Sequence, residues 1–159
     1  MNPGAIVAWM KGRARAAAAG AVAAAAWAAQ EPLDQRVLRY EYSDVAVLGK
    51  AVTRGRGWRA AGLSLHAVNG ALFGLAFHET RRRTCVHPRR LALGLALSEH
   101  VVVYPLCYFV DRFHPARGEP GVPRLLTSPR AFAQATWRHA LFGVLLGRLA
   151  TRGASSGRT

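Results

Sequence analysis

Three apolar stretches of this chain each carry polar side chains near their centres. These side chains, which we call the polar layer, belong to His66, Asn69, Glu99, His100, Arg138 and His139. An ionisable group inside a bilayer costs at least about 2.5 kcal/mol, so it normally has a partner or a function. Glutamate and histidine relay protons in membrane proteins, and imidazole is the commonest ligand of protein-bound metals. The polar layer is therefore where we expect the chemistry of this protein.

The polar layer is predicted to lie at a single depth. Counted from the ends of the apolar stretches, its members fall within about 5 Å of one plane, at a rise of about 1.5 Å per residue. Neighbouring helical residues point about 100° apart, so Glu99 and His100 face different helices, and so do Arg138 and His139. An ion pair between Glu99 and Arg138 is the least costly arrangement, because each charge neutralises the other.

Three interpretations of the polar layer stay open. In the first, the side chains only fix the helix register, through hydrogen bonds worth about 0.6 to 2 kcal/mol each. In the second, Glu99 titrates and the histidines relay protons or line a solute path. In the third, His66, His100 and His139 bind haem or a metal, although no i, i+3 or i, i+4 histidine pair is present. No nucleophile elbow, phosphate loop or HExxH motif occurs, so we expect no enzymatic activity, no catalytic residue and no other cofactor.

Four apolar segments are predicted to position the polar layer as membrane spans. A span needs about 18 to 20 apolar residues to cross a hydrocarbon core of about 30 Å. The predicted spans are residues 14–33, 60–77, 91–110 and 131–150. The sequence accordingly predicts an all-α fold, an integral membrane four-helix bundle. Residues 1–159 would form one transmembrane domain, with a disordered tail at residues 151–159.

The N-terminal segment has two interpretations. Residues 16–29 are almost entirely alanine and follow Lys11, Arg13 and Arg15. Small side chains allow close helix packing, which favours a first span at residues 14–33. A basic start, a short apolar run and the small-residue site Ala26-Trp27-Ala28 are also typical of a cleaved secretory signal over residues 1–28. We prefer the span, and the alternative would leave a secreted basic binding protein.

The connectors between the spans contain further helix and loop patterns. Ser43 or Asp44 is a suitable N-cap for a short helix with apolar residues at i, i+3 and i+7, which we predict to lie in the membrane interface. Residues 111–130 are rich in proline and glycine and are expected to be irregular and exposed. Ser128-Pro129 and Pro88 are predicted to begin the helices that follow them.

Small residues at four-residue spacing predict close contacts between helices. The pairs are Gly70 with Gly74, Gly94 with Ser98, and Gly143 with Gly147. Such pairs let helix backbones approach, within a bundle or between the subunits of a homo-oligomer. The sequence Ala-Leu-Phe-Gly at residues 71–74 recurs at residues 140–143. This match reflects either two repeated helical hairpins or chance.

The positive charge of the chain favours lipid head groups over nucleic acid as partners. The formal net charge is +14, and arginines cluster at the ends of the apolar runs, where they meet lipid phosphates. No basic helix face with interleaved aromatics and no RNA-binding motif occurs, so nucleic acid is not expected. Five arginines between His78 and the third span favour a cytoplasmic connector and two cytoplasmic termini. The predicted location is the bacterial plasma (inner) membrane, with the lipid bilayer and its anionic head groups as partners.

One pattern in the sequence resembles a known family. After Glu31-Pro32, a predicted helix reads His-x-x-Asn-Gly-Ala-x-x-Gly, with its fixed positions at His66, Asn69, Gly70, Ala71 and Gly74. Together with four spans, this pattern resembles the small YagU-like inner-membrane proteins of bacteria. The resemblance covers residues 16–150 and implies a membrane location without a particular chemistry. From the residues themselves we expect a small transport or proton-handling module, or alternatively a redox protein that binds haem or metal.

Overall fold

Helices form nearly all of the secondary structure. The computed structural model describes residues 2–151, and within them no β-strand forms. The helices are α1 (Pro3–Leu38), α2 (Asp44–Val52), α3 (Trp58–Arg81), α4 (Pro88–Val103), α5 (Cys107–Phe113) and α6 (Pro129–Leu149). A 3₁₀ turn at Tyr104–Leu106 joins α4 to α5. The predicted all-α class is confirmed, whereas residues 152–159 of the predicted tail lie outside the described residues.

Local sequence explains where most of these helices begin. The Ser43 side chain accepts a hydrogen bond from the Ala46 N–H at the start of α2, and Ser128 accepts one from the Ala131 N–H at the start of α6. Each satisfies a backbone donor that has no partner inside its helix. Proline occupies the first position of α1, α4 and α6, where its missing N–H costs nothing.

The long helices pack as two pairs that run alternately in opposite directions. Helix α1 packs on α3 and α4 packs on α6; α1 and α6 join the two pairs, whereas α3 barely touches α4. The ion pair between Arg13 Nη1 and Glu79 Oε1 (2.6 Å) places the start of α1 beside the end of α3. This pairing is the one that two repeated helical hairpins would produce.

Glycine lets the first pair of helices touch backbone to backbone. A Cβ atom added to Gly20 of α1 would collide with the carbonyl group of Gly70 on α3. A Cβ atom added to Gly74 would collide with the carbonyl group of Ala16. The GxxxG pair of α3 therefore faces the small residues of α1, as membrane helices commonly do.

The second pair of helices uses one of its two small-residue pairs. Gly143 and Gly147 of α6 face α4, where an added Cβ would lie 2.8 Å and 2.9 Å from backbone Cα atoms. Gly94 and Ser98 lie instead on the exposed side of α4, and nothing lies within 4 Å of a Cβ added to Gly94. The packing side of α4 carries other small residues, the fully buried Ala92 and Ala96.

Two connectors fold onto the helices rather than extending away from them. Helix α2 packs on the first part of α3, where Gly49 meets the Trp58 carbonyl group. The connector at residues 114–128 is irregular, as predicted, and it is exposed only in part. Its buried side chains are His114, Ala116, Val122 and Leu125. They are covered because His114 Nε2 hydrogen-bonds the Val47 carbonyl oxygen (2.8 Å) and holds the connector against α2.

Two helical segments are long and apolar enough to cross a membrane. They are α3 and the continuous segment formed by α4, the 3₁₀ turn and α5, which together cover Pro88–Phe113. The predicted spans 60–77 and 91–110 fall inside these two segments. Helix α1 extends well beyond the predicted span 14–33, and within residues 2–151 neither α1 nor α6 reaches the same apolarity.

Candidate functional site

A cavity of about 210 Å³ that is open on one side brings together most of the polar layer. Five members of the layer line it: His66, Asn69, Glu99, His100 and His139. Its remaining walls include the polar or ionisable Asp44 and Cys107 and the aromatic Trp27, Tyr42, Phe73, Tyr104 and Phe142. Asn69 is exposed and Glu99 half-exposed, so they mark the accessible side of the cavity, where α3 and α4 barely touch.

Arg138, the sixth member of the polar layer, lies outside the cavity lining in a cluster of carboxylates. Its side chain is completely buried. The guanidinium donates to both oxygens of Asp34, with Nε–Oδ2 and Nη2–Oδ1 distances of 2.6 Å. Nη1 lies 2.7 Å from Asp44 Oδ2 and 3.6 Å from Glu31 Oε1. Nη2 also donates to the Tyr42 carbonyl oxygen (2.9 Å). We call these residues the arginine cluster.

The predicted ion pair between Glu99 and Arg138 does not form. Arg138 binds carboxylates from α1 and α2, and Glu99 contacts His139 instead. The reason is angular, because adjacent helical residues point about 100° apart. His139 faces α4 and its Glu99, and Arg138 therefore faces α1. The position of each residue along its helix predicted the level of the two charges, but not the side of the helix from which each one projects.

The arginine cluster contains more negative than positive charge. Three carboxylates surround one guanidinium, so the cluster has two uncompensated negative charges when all three are ionised. Asp44, which also lines the cavity, accepts a 2.9 Å hydrogen bond from the Trp27 indole N–H. Burial raises the pKa of Asp44, but the Arg138 guanidinium and hydrogen bonds from Tyr42 and Arg138 outweigh burial and hold the pKa below its ordinary value.

Residues outside the predicted polar layer hydrogen-bond the carboxylates of the arginine cluster. Gln134 is fully buried, and its amide nitrogen donates to Asp34 Oδ1 (2.9 Å) and to the Tyr40 carbonyl oxygen (3.0 Å). Ser43 donates to Glu31 Oε2 (2.6 Å). Burial and the neighbouring Asp44 carboxylate raise the pKa of the Tyr42 hydroxyl, which donates to Asp44. These bonds satisfy the buried carboxylates, as an isolated charge in this position requires.

Glu99 and His139 hold one proton between them on the accessible side of the cavity. His139 Nδ1 lies 2.7 Å from the Ala135 carbonyl oxygen, which can only accept, so Nδ1 carries a proton. His139 Nε2 lies 3.0 Å from Glu99 Oε2. Two bare acceptors would repel at this distance, so a second proton lies between them, on the imidazolium or on the carboxylic acid. Because 37% of the Glu99 side chain is exposed, this pair lies at the outer edge of the cavity.

The other two histidines of the cavity present lone pairs. His66 hydrogen-bonds the Ala24 backbone, and its buried Nε2 has no partner within residues 2–151. The bond to the backbone therefore uses Nδ1 as a donor and leaves Nε2 as an acceptor. His100 Nε2 lies 2.9 Å from Thr136 Oγ1, which already donates to a backbone carbonyl and so accepts from His100. The Nδ1 atom of His100 is then an acceptor as well.

Ring contacts join the three histidines into one group. The Trp27 ring lies 5.1 Å from the His66 ring and 4.5 Å from the His139 ring, both edge to face. The His139 and His100 rings lie 4.7 Å apart. Within residues 2–151, no three His, Cys, Asp or Glu side chains converge in a geometry that could hold a metal ion. The cavity is thus an acceptor-rich, aromatic site next to a negatively charged cluster.

Sequence reasoning missed the carboxylates of the arginine cluster. Glu31, Asp34 and Asp44 lie at the end of the predicted first span and in the connector after it, where charged residues are unremarkable in sequence. The spacing of Glu31 and Asp34 was the available indication, because residues at i and i+3 share one helix face. Both are at most 5% exposed, which marks that face as internal.

The chain has no match among known proteins in three comparisons. No protein-family model, no curated protein and no solved structure matches it. The resemblance to YagU-like membrane proteins stays a prediction. The geometry of the cavity and of the arginine cluster is therefore the basis on which a function is proposed.

Proposed function

We propose that this chain is a multi-pass protein of the bacterial plasma membrane that handles protons at this cavity. In this proposal α1, α3, the α4–α5 segment and α6 all span the bilayer as a four-helix bundle. The first support is the low burial of the two most apolar segments. Only 28% of the apolar 18-residue stretch of α3 is buried, and only 11% of the corresponding stretch of Pro88–Phe113. The core helix of a soluble protein is mostly buried.

The distribution of side chains supports a membrane environment. Large apolar side chains face outward, among them Leu63, Val68, Leu72, Val101, Val102 and Phe109. Charged and polar side chains face inward, including Arg138 at 0% exposure and Gln134 at 0%. Soluble monomers rarely expose large contiguous apolar patches, and intramembrane charges face the bundle interior. Cleavage after Ala28 would remove the part of α1 that packs on α3, so a retained first span fits this fold better.

The Glu99–His139 pair is the observation that carries the proton-handling proposal. Its proton lies between a carboxylate and an imidazole, the two kinds of side chain that relay protons inside membrane proteins. Glu99 lies at the outer edge of the cavity, and the His100 ring, 4.7 Å from His139, offers the next acceptor inward. A purely structural clasp would need neither an exposed carboxylate nor unpaired acceptors on the neighbouring histidines.

Proton flux through reconstituted vesicles tests this proposal. The purified protein would be inserted into liposomes that contain a pH-sensitive dye, and a pH gradient would be imposed. We expect wild-type vesicles to dissipate the gradient faster than empty vesicles, and Glu99→Gln vesicles to resemble empty ones. Glu41→Gln, a change at an exposed connector glutamate, is the matched control and should behave as the wild type. Equal flux in the wild type, Glu99→Gln and empty vesicles would contradict proton handling and favour a structural polar layer.

A further inference from the structure

We propose that the cavity binds a small organic ammonium ion, that is, a protonated amine, and exchanges it for the proton of the Glu99–His139 pair. This inference rests on the proposed function, because it assigns a ligand class to the same cavity. It is carried by three independent features of the described residues: the charge around the cavity, the hydrogen-bonding state of its walls, and its aromatic surfaces.

Charge around the cavity favours a cation. The arginine cluster borders the cavity through Asp44 and contains two more negative than positive charges when its carboxylates are ionised. Glu99 adds a further carboxylate at the accessible side. No lysine or arginine within residues 2–151 lines the cavity, since Arg138 is enclosed by its own carboxylates. An anionic solute would therefore be repelled, and a cation attracted.

Hydrogen-bonding groups of the walls call for a donor. His100 Nδ1 is an acceptor for the reason given above, and Glu99 uses only one oxygen on His139. A ligand with several N–H donors suits the second Glu99 oxygen and the His100 Nδ1 acceptor. A primary ammonium group has three such donors.

Aromatic walls suit the organic part of such a ligand. Trp27, Phe73, Tyr104 and Phe142 surround the polar groups, and aromatic faces attract cations as well as apolar groups. A volume of about 210 Å³ is below the 300 to 1,000 Å³ or so that drug-sized ligands occupy, so the ligand has only a few heavy atoms. A small alkylammonium ion fits these limits.

Exchange with a proton follows from the Glu99–His139 pair. A cation that contacts Glu99 competes with the proton between Glu99 and His139, and the displaced proton leaves the cavity. His139 becomes a neutral imidazole, and one positive charge leaves for each that enters, with no covalent step. The other titratable groups that face this pair around the cavity are His66, His100, Asp44, Tyr42, Tyr104 and Cys107. At low pH the proton occupies the Glu99–His139 pair, so ammonium binding weakens.

Titration of the detergent-purified protein with three compounds that share one isobutyl group tests the inference. The probes are isobutylammonium, the neutral isobutanol and the anionic isovalerate, and binding is followed by tryptophan fluorescence and by calorimetry. We expect only isobutylammonium to saturate the site, its affinity to fall as the pH is lowered from about 8 to 5.5, and about one proton to be released per ligand. Equal binding of the neutral or anionic compound, or no binding of the ammonium ion, would overturn the inference without any variant.

Variants then locate the site. Glu99→Gln should weaken isobutylammonium binding at least about tenfold, and Glu41→Gln should leave it unchanged. Unchanged binding to Glu99→Gln would also overturn the inference. The two proposals can fail separately. Proton flux in vesicles without ammonium binding would contradict only the proposed ligand. Ammonium binding with proton release but without flux would contradict only the transmembrane proton pathway.

Discussion

Arg138 contacts three carboxylates, and its single positive charge can neutralise only one of them. Its guanidinium is paired in bidentate fashion with Asp34 and contacts Asp44 and Glu31, all without exposure of the arginine to solvent. A buried ion pair adds little net stability over an apolar core, but removal of one partner leaves charges that have neither water nor a counter-ion. Arg138 of α6 therefore connects α1, through Asp34 and Glu31, with α2, through Asp44.

Replacement of Arg138 should be strongly destabilising. We expect Arg138→Gln to lower the free energy of unfolding by about 3 to 5 kcal/mol, because buried carboxylates lose their cation. Arg138→Lys keeps the charge but loses the bidentate geometry, so it should fall between the wild type and Arg138→Gln. Chemical unfolding in detergent, followed by circular dichroism, measures both. Arg148→Gln, at an exposed position of the same helix, is the control and should cost little. Equal stability of Arg138→Gln and Arg148→Gln would refute this role.

Asp44 should make the fold sensitive to acid. Its pKa in the folded protein lies below the ordinary value of 3.8, so its contribution to stability is present above about pH 4. That contribution is lost as the pH falls through the lowered pKa. We expect Asp44→Asn to reduce the fall in melting temperature between about pH 5 and pH 3, and Glu41→Gln to leave it unchanged. Thermal unfolding across this pH range measures the difference. Parallel curves for the wild type and Asp44→Asn would disprove the assignment.

At the residue scale, the sequence predicted which polar side chains lie at one level of the bundle, but not which of them form pairs. Depth along each helix is readable because the rise per residue is constant, and five of the six polar-layer residues do share one cavity. Orientation around the helix axis depends on which neighbours each helix meets, and this is tertiary information. The partners of Arg138 also lie 94 and 104 residues away, beyond the range of any local pattern.

Close packing of α1 on α3 is the main element-scale feature. Gly74→Ala would place a methyl group against the Ala16 carbonyl group, so the two helices must separate and lose contacts. Gly94→Ala meets nothing within 4 Å and should stabilise its helix by about 0.5 to 1 kcal/mol. Melting temperatures of the two variants in detergent should therefore move in opposite directions. A neutral Gly74→Ala would show that α1 and α3 are less closely packed than described.

The connector between α3 and α4 offers a natural probe of orientation. Cys85 is exposed in this connector, and the other described cysteine, Cys107, is half-buried in α5. If both termini are cytoplasmic, we expect a membrane-impermeant maleimide to label Cys85 in inverted membrane vesicles but not in intact spheroplasts. A Cys107→Ala background restricts the label to one site, and Cys85→Ala is the negative control. Labelling from the outside would reverse the proposed orientation.

At the element scale, helix positions were largely predictable and connectors were not. The predicted spans 60–77, 91–110 and 131–150 coincide closely with helical segments, because caps and apolar runs are local properties. The connector at residues 111–130 was expected to be exposed because of its prolines and glycines. Its buried residues, such as Val122 and Leu125, are covered by α2 and by the other helices, which no local pattern encodes.

The outward apolar surface gives a test of the whole molecule. Val102 of α4 is 75% exposed and lies within an apolar segment, whereas Val37, 72% exposed, lies at the end of α1. In a bilayer, Val102→Lys should cost about 2.5 to 3.5 kcal/mol and reduce the amount of protein in carbonate-washed membranes. Val37→Lys should be tolerated near the interface. In a soluble protein both changes would be harmless, so equal tolerance of the two would contradict the membrane proposal.

The arginine cluster has a consequence for how the chain is made. Its carboxylates are synthesised first, and Arg138 follows 104 residues after Asp34. At a translation rate of about 5 to 20 residues per second, the interval is roughly 5 to 20 s. Throughout that time the growing chain holds acidic groups whose counter-ion does not yet exist. A chain that stops before α6 would keep them permanently unpaired, and cellular quality control could use this to distinguish an unfinished protein from a finished one.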